Sequence, residues 1–245
     1  MKQLSDHDSL YLEPRQPVGD FQFDADVARV FPDMIRRSVP GYPVIVALLG
    51  ILAARHVQPH TLCYDLGCSL GAASLSMARH IQQPGCRIVG VDNSSAMLQR
   101  CREILGQSRP RAPVDLMCAD VLQVNIERAS VVVLNFTLQF IDCTRRIELL
   151  ANIHQGLVPG GALILSEKIT FADPRQTERF THLHHAFKGA EGYSDLEISQ
   201  KRTALERVLY PETIETHLER LRAVGFSSCD VWFQCLNFMS ILALK

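Results

Sequence analysis

From residue 61 onward, short apolar runs alternate with amphipathic stretches. The runs LCYDL, RIVGV, SVVVLNF and ALILS carry little internal polar alternation, which suits strands covered on both faces of a sheet. They predict strands near 61–66, 87–91, 114–118, 130–135 and 161–166, with helices near 71–82, 95–106 and 144–156 between them. Strand–helix alternation with short connections is the pattern of a parallel, doubly wound α/β sheet. Upstream, Asp24 is placed to cap a helix with Val27, Val30, Phe31 and Met34 on one face, and Pro32 should kink or restart it. A second helix is expected from about Pro43 to Arg55, after the turn Pro40-Gly41, and 23–58 together could form a lid. Residues 1–22, with Pro14, Pro17 and Gly19, read as a loose arm. Helical stretches fill 174–222, and the apolar runs 226–233 and 236–244 predict a terminal antiparallel hairpin. The expected architecture is one domain over 1–245: a mostly parallel seven-stranded sheet of the class I methyltransferase-like, Rossmann-like type, with extra N-terminal and 174–222 helices.

Composition narrows the partners. A net charge of -1 and a pI near 6.7 provide no general field to gather nucleic acid or an anionic membrane. The eight cysteines include no Cys-x-x-Cys pair, and several sit in apolar runs as small buried hydrophobes, as expected of reduced thiols in a cytoplasmic protein. The N-terminal residues lack the apolar segment of a signal peptide, and the longest apolar stretch, Val44 to Ala54, is too short to span a bilayer. A soluble protein with a small-molecule partner is expected.

The chemistry concentrates where strands end. The first strand closes on an acid and opens the turn D-L-G-C-S-L-G, in which Gly67 and Gly71 permit close backbone approach. Ser69 holds the position that a dinucleotide pyrophosphate would want bare, which favours a nucleoside cofactor without phosphate. Asp92-Asn93 ends the second strand, where a carboxylate can take both ribose hydroxyls, although helix capping is the plain alternative. Asp120, with the Val121 N–H beside it, follows the third strand and would reach the adenine; a turn-forming role competes. Asn135 ends the fourth strand, facing the amino-acid end of such a cofactor. The set points to S-adenosyl-L-methionine, yet the familiar methyl-transfer catalysts are missing. Asn135-Phe136-Thr137-Leu138 stands where amine methyltransferases carry an Asp/Asn-Pro-Pro-aromatic run, and no Pro-Cys pair offers a nucleophile.

Several stretches go beyond the shared fold: VFPDMIRRSVPGY (Val30 to Tyr42), YDLGCSLGAA, VVLNFTLQF, PGGALILSEK, GYSDLEISQKR (Gly192 to Arg202) and VWFQC (Val231 to Cys235). In these the chain resembles the carboxy-S-adenosyl-L-methionine synthases, almost end to end. The resemblance implies an enzyme that uses prephenate to place a carboxyl on the methyl of S-adenosyl-L-methionine, releasing phenylpyruvate. Its product, carboxy-S-adenosyl-L-methionine, supplies the carboxymethyl group of 5-oxyacetyluridine at the tRNA wobble position. It further implies cofactor contacts from Tyr42, Gly67, Cys68, Ser69, Asp92, Asn93, Asp120, Val121 and Asn135, with Arg202 pairing with the new carboxylate. A homodimer is implied, with the N-terminal and 174–210 helices at its interface. A guanidinium suits a ligand that differs from ordinary cofactor by one carboxylate, whereas a solvated charge on a helix face is the plain reading of Arg202. The cluster His182, His184 and His185 lacks acids or cysteines at ligand spacing, so no metal is expected. Trp232 and Phe233 read as core, and Glu167 and Lys168 as polar pocket wall. The competing functions are a conventional methyltransferase acting on a small molecule or tRNA, and a non-catalytic cofactor-binding module.

Overall fold

The computed structural model describes residues 7–14 and 17–245. One seven-stranded sheet runs through it in the order β3-β2-β1-β4-β5-β7-β6. Its strands are β1 (Leu62–Leu66), β2 (Arg87–Asp92), β3 (Val114–Cys118), β4 (Ala129–Asn135), β5 (Leu157–Lys168), β6 (Ser228–Cys235) and β7 (Phe238–Leu244). β1 to β5 pair in parallel, and β7 lies antiparallel between β5 and β6. Strand order reverses between β1 and β4, which opens a crevice beyond their carboxyl ends.

The eight helices among the described residues are α1 (Ala25–Ser38), α2 (Tyr42–His56), α3 (Ala72–His80), α4 (Ser95–Gly106), α5 (Arg146–Gly156), α6 (Pro174–Ala190), α7 (Asp195–Leu205) and α8 (Ile214–Ala223). Alternation along the strands explains how they divide. Cys63, Val131, Val133 and Ile164 face Leu49, Ala53, Met77 and Ala78 of α2 and α3. Tyr64, Leu66, Val132, Leu134, Leu163 and Leu165 face Leu149, Leu150, Ile153 and Leu221 of α5 and α8. Both faces are thus sealed by hydrophobic burial, as the unbroken apolar strands require.

Three expectations need correction. α1 runs through Pro32 without restarting. Its inward face, Val27, Val30 and Met34, packs with Tyr11, Phe21, Leu70, Met97 and Ala204, and this burial holds the helix across the missing N–H. α2 is a wall of the sheet rather than a lid, and only its first turn approaches the crevice. The described part of the expected loose arm is tied down: Asp8 is 1% exposed and Tyr11 and Phe21 are buried. Residues 1–6 and 15–16 of that arm lie outside the described residues.

Candidate active site

The turn after β1 is built by its own hydrogen bonds. Gly67 N–H and Cys68 N–H both donate to Val91 O at 2.8 Å, and Gly71 N–H donates to Cys68 O at 2.7 Å. Ser69 N–H donates to Asp92 Oδ2 at 2.8 Å. These four N–H groups are engaged inside the protein. The turn can offer backbone carbonyls, the bare Gly67 Cα and the Ser69 hydroxyl. Gly67 has φ +79°, and a Cβ there would stand 2.4 Å from Thr137 Oγ1. Ser69 (φ +52°) and Phe136 (φ +63°) hold left-handed backbone without being glycine, strain of the kind found beside binding sites. The Cys68 side chain faces away, packed beside Cys101 and within 3.2 Å of where a Gly90 Cβ would be; its thiol is raised by that neighbour and by burial.

Asp92 accepts two backbone N–H groups. Oδ2 takes the Ser69 N–H and Oδ1 takes Ser94 N–H at 2.9 Å, which leaves each oxygen a further lone pair. Helix capping falls to Ser94, whose hydroxyl accepts the Met97 N–H at 3.2 Å. Burial raises the Asp92 carboxyl above its ordinary value against those two N–H groups. Asn93 is exposed next to it. Asp120 is exposed and accepts the Leu122 N–H at 2.9 Å, starting the short 3-10 turn Val121–Gln123, with Val121 buried. The turn-forming role is therefore realised, and it leaves the other carboxylate oxygen open.

Asn135 ends β4 with Oδ1 buried and without a partner. Phe136 beyond it donates its N–H to Ser166 O at 2.8 Å and sets its ring 6.2 Å from that of Tyr42. Tyr42 opens α2; burial, reinforced by the Asp65 charge, raises its phenol. Asp65, near the end of β1, is a candidate that the sequence reading did not single out, although the acid closing that strand was its signal. It is 1% exposed, with Oδ2 accepting the Ser74 N–H at 2.8 Å and the Ser74 hydroxyl at 2.5 Å. Burial pushes it up to about 6 against those bonds. Asp65 Oδ1, Ser69 Oγ and Asn135 Oδ1 are all buried without partners at the carboxyl ends of β1 and β4. Such atoms are costly unless a ligand pairs them, and the ammonium and hydroxyl groups of an amino-acid nucleoside suit them.

The loop after Asn135 is held from behind. Glu167 at the end of β5 accepts the Leu138 N–H at 3.0 Å, and Gln139 Oε1 accepts the Lys168 N–H at 2.9 Å. Buried Arg146 donates to Ile141 O at 2.9 Å, to Tyr210 O at 2.8 Å and to Glu212.

Arg202 stands apart. It is exposed on α7, in a groove shared with His185, Gly189 and Asp195, and no hydrogen bond or ion pair among the described residues links it to Tyr42, Asn135 or the 67–69 turn. His184 is committed to Ser38 O at 2.7 Å. Among the described residues, no three His, Cys, Asp or Glu side chains are grouped to hold a metal. No single helix there is long and apolar enough to cross a membrane. Trp232 and Phe233 are half-buried against Ile45 and Phe238.

Comparison with known proteins gives this geometry its context. A family model described as a methyltransferase domain matches residues 64–161. Among solved structures, human N-acetylserotonin methyltransferase in complex with S-adenosyl-L-methionine aligns with TM-score 0.59 at 18% identity, covering 90% of this chain and 55% of that one. A cyclopropane synthase of Mycobacterium tuberculosis aligns with TM-score 0.56 at 20% identity, over 76% and 62%. These likenesses establish the class I methyltransferase fold. The carboxy-S-adenosyl-L-methionine synthase of Geobacter sp. (strain M21) is 58% identical over 239 residues, 97% of this chain and 98% of its own. That of Pseudomonas paraeruginosa is 54% identical over 245 residues, 98% and 97%. The chain belongs to the carboxy-S-adenosyl-L-methionine synthase family, enzymes that act on S-adenosyl-L-methionine.

Proposed function

We propose that this enzyme takes the carboxyl group from prephenate and attaches it to the methyl carbon of S-adenosyl-L-methionine. The observation that carries the reading is identity above one half with carboxy-S-adenosyl-L-methionine synthases over nearly the whole chain, including α6 and α7 outside the shared fold. The chemistry balances without an external base. Breaking the ring C–CO2 bond of prephenate as its ring hydroxide departs gives phenylpyruvate and carbon dioxide. The hydroxide takes a proton from the sulfonium methyl and leaves as water; the resulting ylide carbon attacks carbon dioxide. Closure of the pocket keeps the carbon dioxide at high effective concentration beside the ylide. Tyr42, Gly67, Cys68, Ser69, Asp92, Asn93, Asp120, Val121 and Asn135 hold the cofactor in this reading, and Arg202 pairs with the new carboxylate.

The product then serves as carboxymethyl donor to a separate enzyme acting on wobble uridine, and this chain binds no nucleic acid itself, consistent with its net charge of -1. A cytoplasmic homodimer completes the proposal; the apolar face Val44, Leu48 and Ile51 of α2, 39–50% exposed, suits a second copy. Light scattering of the purified protein reads the dimer, and a monomer would refute it.

Mass spectrometry of ligand released on denaturation, before and after incubation with prephenate, tests the reaction. A species heavier than S-adenosyl-L-methionine by one carbon dioxide supports it. Persistence of S-adenosyl-L-methionine or its demethylated product after prephenate returns the case to a conventional methyltransferase. Arg202→Ala is expected to lose preference for the carboxylated ligand, and equal retention of both forms would remove that role.

A further inference from the structure

Beyond Phe136 lies a group of cations that none of the steps above uses. Lys188 on α6 is 6% exposed, yet no hydrogen bond or ion pair among the described residues reaches its ammonium. Lys168, at the carboxyl end of β5, is partly exposed, and its ammonium likewise has no partner there. Lys201, by contrast, is matched. Its ammonium lies 3.2 Å from Asp8, 3.0 Å from Ser38 Oγ and 3.3 Å from the Tyr193 hydroxyl. Arg37 is matched by Asp33 at 3.1 Å. Asp8 and Asp33 are thus taken, and Lys168 and Lys188 remain as two cations without counterions.

Their position connects them to the active site. The field of both lysines falls on His184 and His185. The His184 ring meets Phe238 edge-on at 4.9 Å, and Phe238 meets Phe136 at 6.1 Å, one residue past Asn135. Lys168 sits opposite Phe238 in the β5–β7 register. The pair therefore stands one aromatic layer from Asn135, at the same end of the sheet as the crevice. His184 is no anion binder here, since burial and the two lysines hold it neutral at about 2.

The Lys188 side chain is buried and its ammonium has no counterion among the described residues, a place that suits an arriving anion. Burial, with Lys201 and Lys168 adding repulsion against the pull of Asp8, lowers Lys188 to about 7. An arriving carboxylate would restore its charge. Two cations can share the two oxygens of one carboxylate.

We propose that Lys168 and Lys188 bind the carboxyl donor through the carboxylate that it keeps, fixing the departing one toward the sulfonium methyl. The inference rests on the prephenate reading, because prephenate is a dicarboxylate that loses one carboxyl and keeps the other in phenylpyruvate.

Steady-state rates with prephenate varied at saturating S-adenosyl-L-methionine, titration of each substrate, and thermal melting test it in wild type, Lys188→Met and Lys168→Met. Loss of a charged hydrogen bond predicts a KM for prephenate raised roughly tenfold or more. The dissociation constant for S-adenosyl-L-methionine should stay within about twofold on the same argument. The melting temperature of Lys188→Met should hold or rise, because a charge without a counterion has gone from a buried side chain. Lys188→Arg should recover part of the prephenate affinity. An unchanged prephenate KM with a lower melting temperature would make the lysines structural and overturn the proposal. Weakened S-adenosyl-L-methionine binding with unchanged prephenate KM would assign them to the cofactor carboxylate and equally overturn it. If wild type forms no product from prephenate, the donor reading fails. Calorimetric titration with prephenate then decides the cation site separately: binding by wild type that is lost in Lys188→Met supports it, and no binding by wild type refutes it.

Discussion

Replacing Glu167 with glutamine should make the enzyme's stability respond differently to pH. Glu167 is 0% exposed, its Oε1 accepts the Leu138 N–H at 3.0 Å, and its Oε2 is buried without a partner. Burial pushes its carboxyl up to about 8, although Arg146 and two backbone N–H groups pull the other way. Because the folded value is raised, the folded state binds the extra proton between the ordinary 4.5 and about 8. Stability from this group is therefore complete below 4.5 and is lost as pH rises through about 8. At about 1.36 kcal/mol per pH unit, that span has a ceiling on the order of 5 kcal/mol. Glutamine keeps the acceptor for Leu138 and cannot ionise. Its NH2 faces the same unpaired space as the protonated carboxyl's O–H, so Glu167→Gln should be near neutral at pH 5. At pH 8.5 it should be more stable by about 2–5 kcal/mol, which for a chain of this size is a melting-point gain of about 5–15 °C. Urea denaturation and thermal melting of both proteins from pH 5 to 9 provide the assay. Parallel pH profiles, or a glutamine variant weaker at every pH, would refute the argument that Glu167 is held protonated by burial.

Gly67→Ala must force L-residue backbone to φ +79° and push its Cβ to 2.4 Å from Thr137 Oγ1. A stability loss of about 1–2 kcal/mol or more, with S-adenosyl-L-methionine affinity falling at least tenfold, is expected by melting and calorimetry; unchanged affinity would mean that this turn is not part of the site. Asp92→Asn gives up one acceptor oxygen that serves Ser69 or Ser94, so cofactor affinity should fall about 10–100-fold while the fold survives; equal affinity by calorimetry would remove the ribose role. Arg146→Met strips Glu212 of one partner and frees the carbonyls of Ile141 and Tyr210, and should cost about 3–5 kcal/mol in urea unfolding; a cost below about 1 kcal/mol would mean that Arg146 does not anchor the loop after Asn135.

The sheet was legible because the apolar runs that form it are local signals. SVVVLNF alternates between two faces that are both covered, and nothing distant is needed to recognise it as a buried strand. The hairpin at the end and the polar residues closing β2 and β4 followed from the same pattern. Other features depend on contacts far apart in sequence. Asp8 pairs with Lys201 across 193 positions, so no composition of residues 1–22 reveals that their described part is anchored. Pro32 predicts a break from its own chemistry, and only the packing of α1 against Leu70 and Met97 keeps the helix whole. Lys188 sits in a polar helix, and its burial depends on the packing of α6 with α7 and α1, elements distant in sequence or joined by a turn. Asp65 closes its strand visibly, but its unpaired oxygen appears only once Ser74 has turned back to take the other.

The insertion of β7 between β5 and β6 has a consequence for biosynthesis. Ala162 to Lys168 of β5 pair on that side only with 238–244, so some seventy residues of chain must be made before this edge acquires its neighbour. Throughout that interval a nascent chain with β1 to β5 assembled carries an open, apolar strand edge, the template on which chains pair with one another. A ribosome halted before residue 238 would therefore hold a species prone to association. Synthesis rate across α6, α7 and α8 thus bears on yield in the cell, independently of how stable the finished enzyme is.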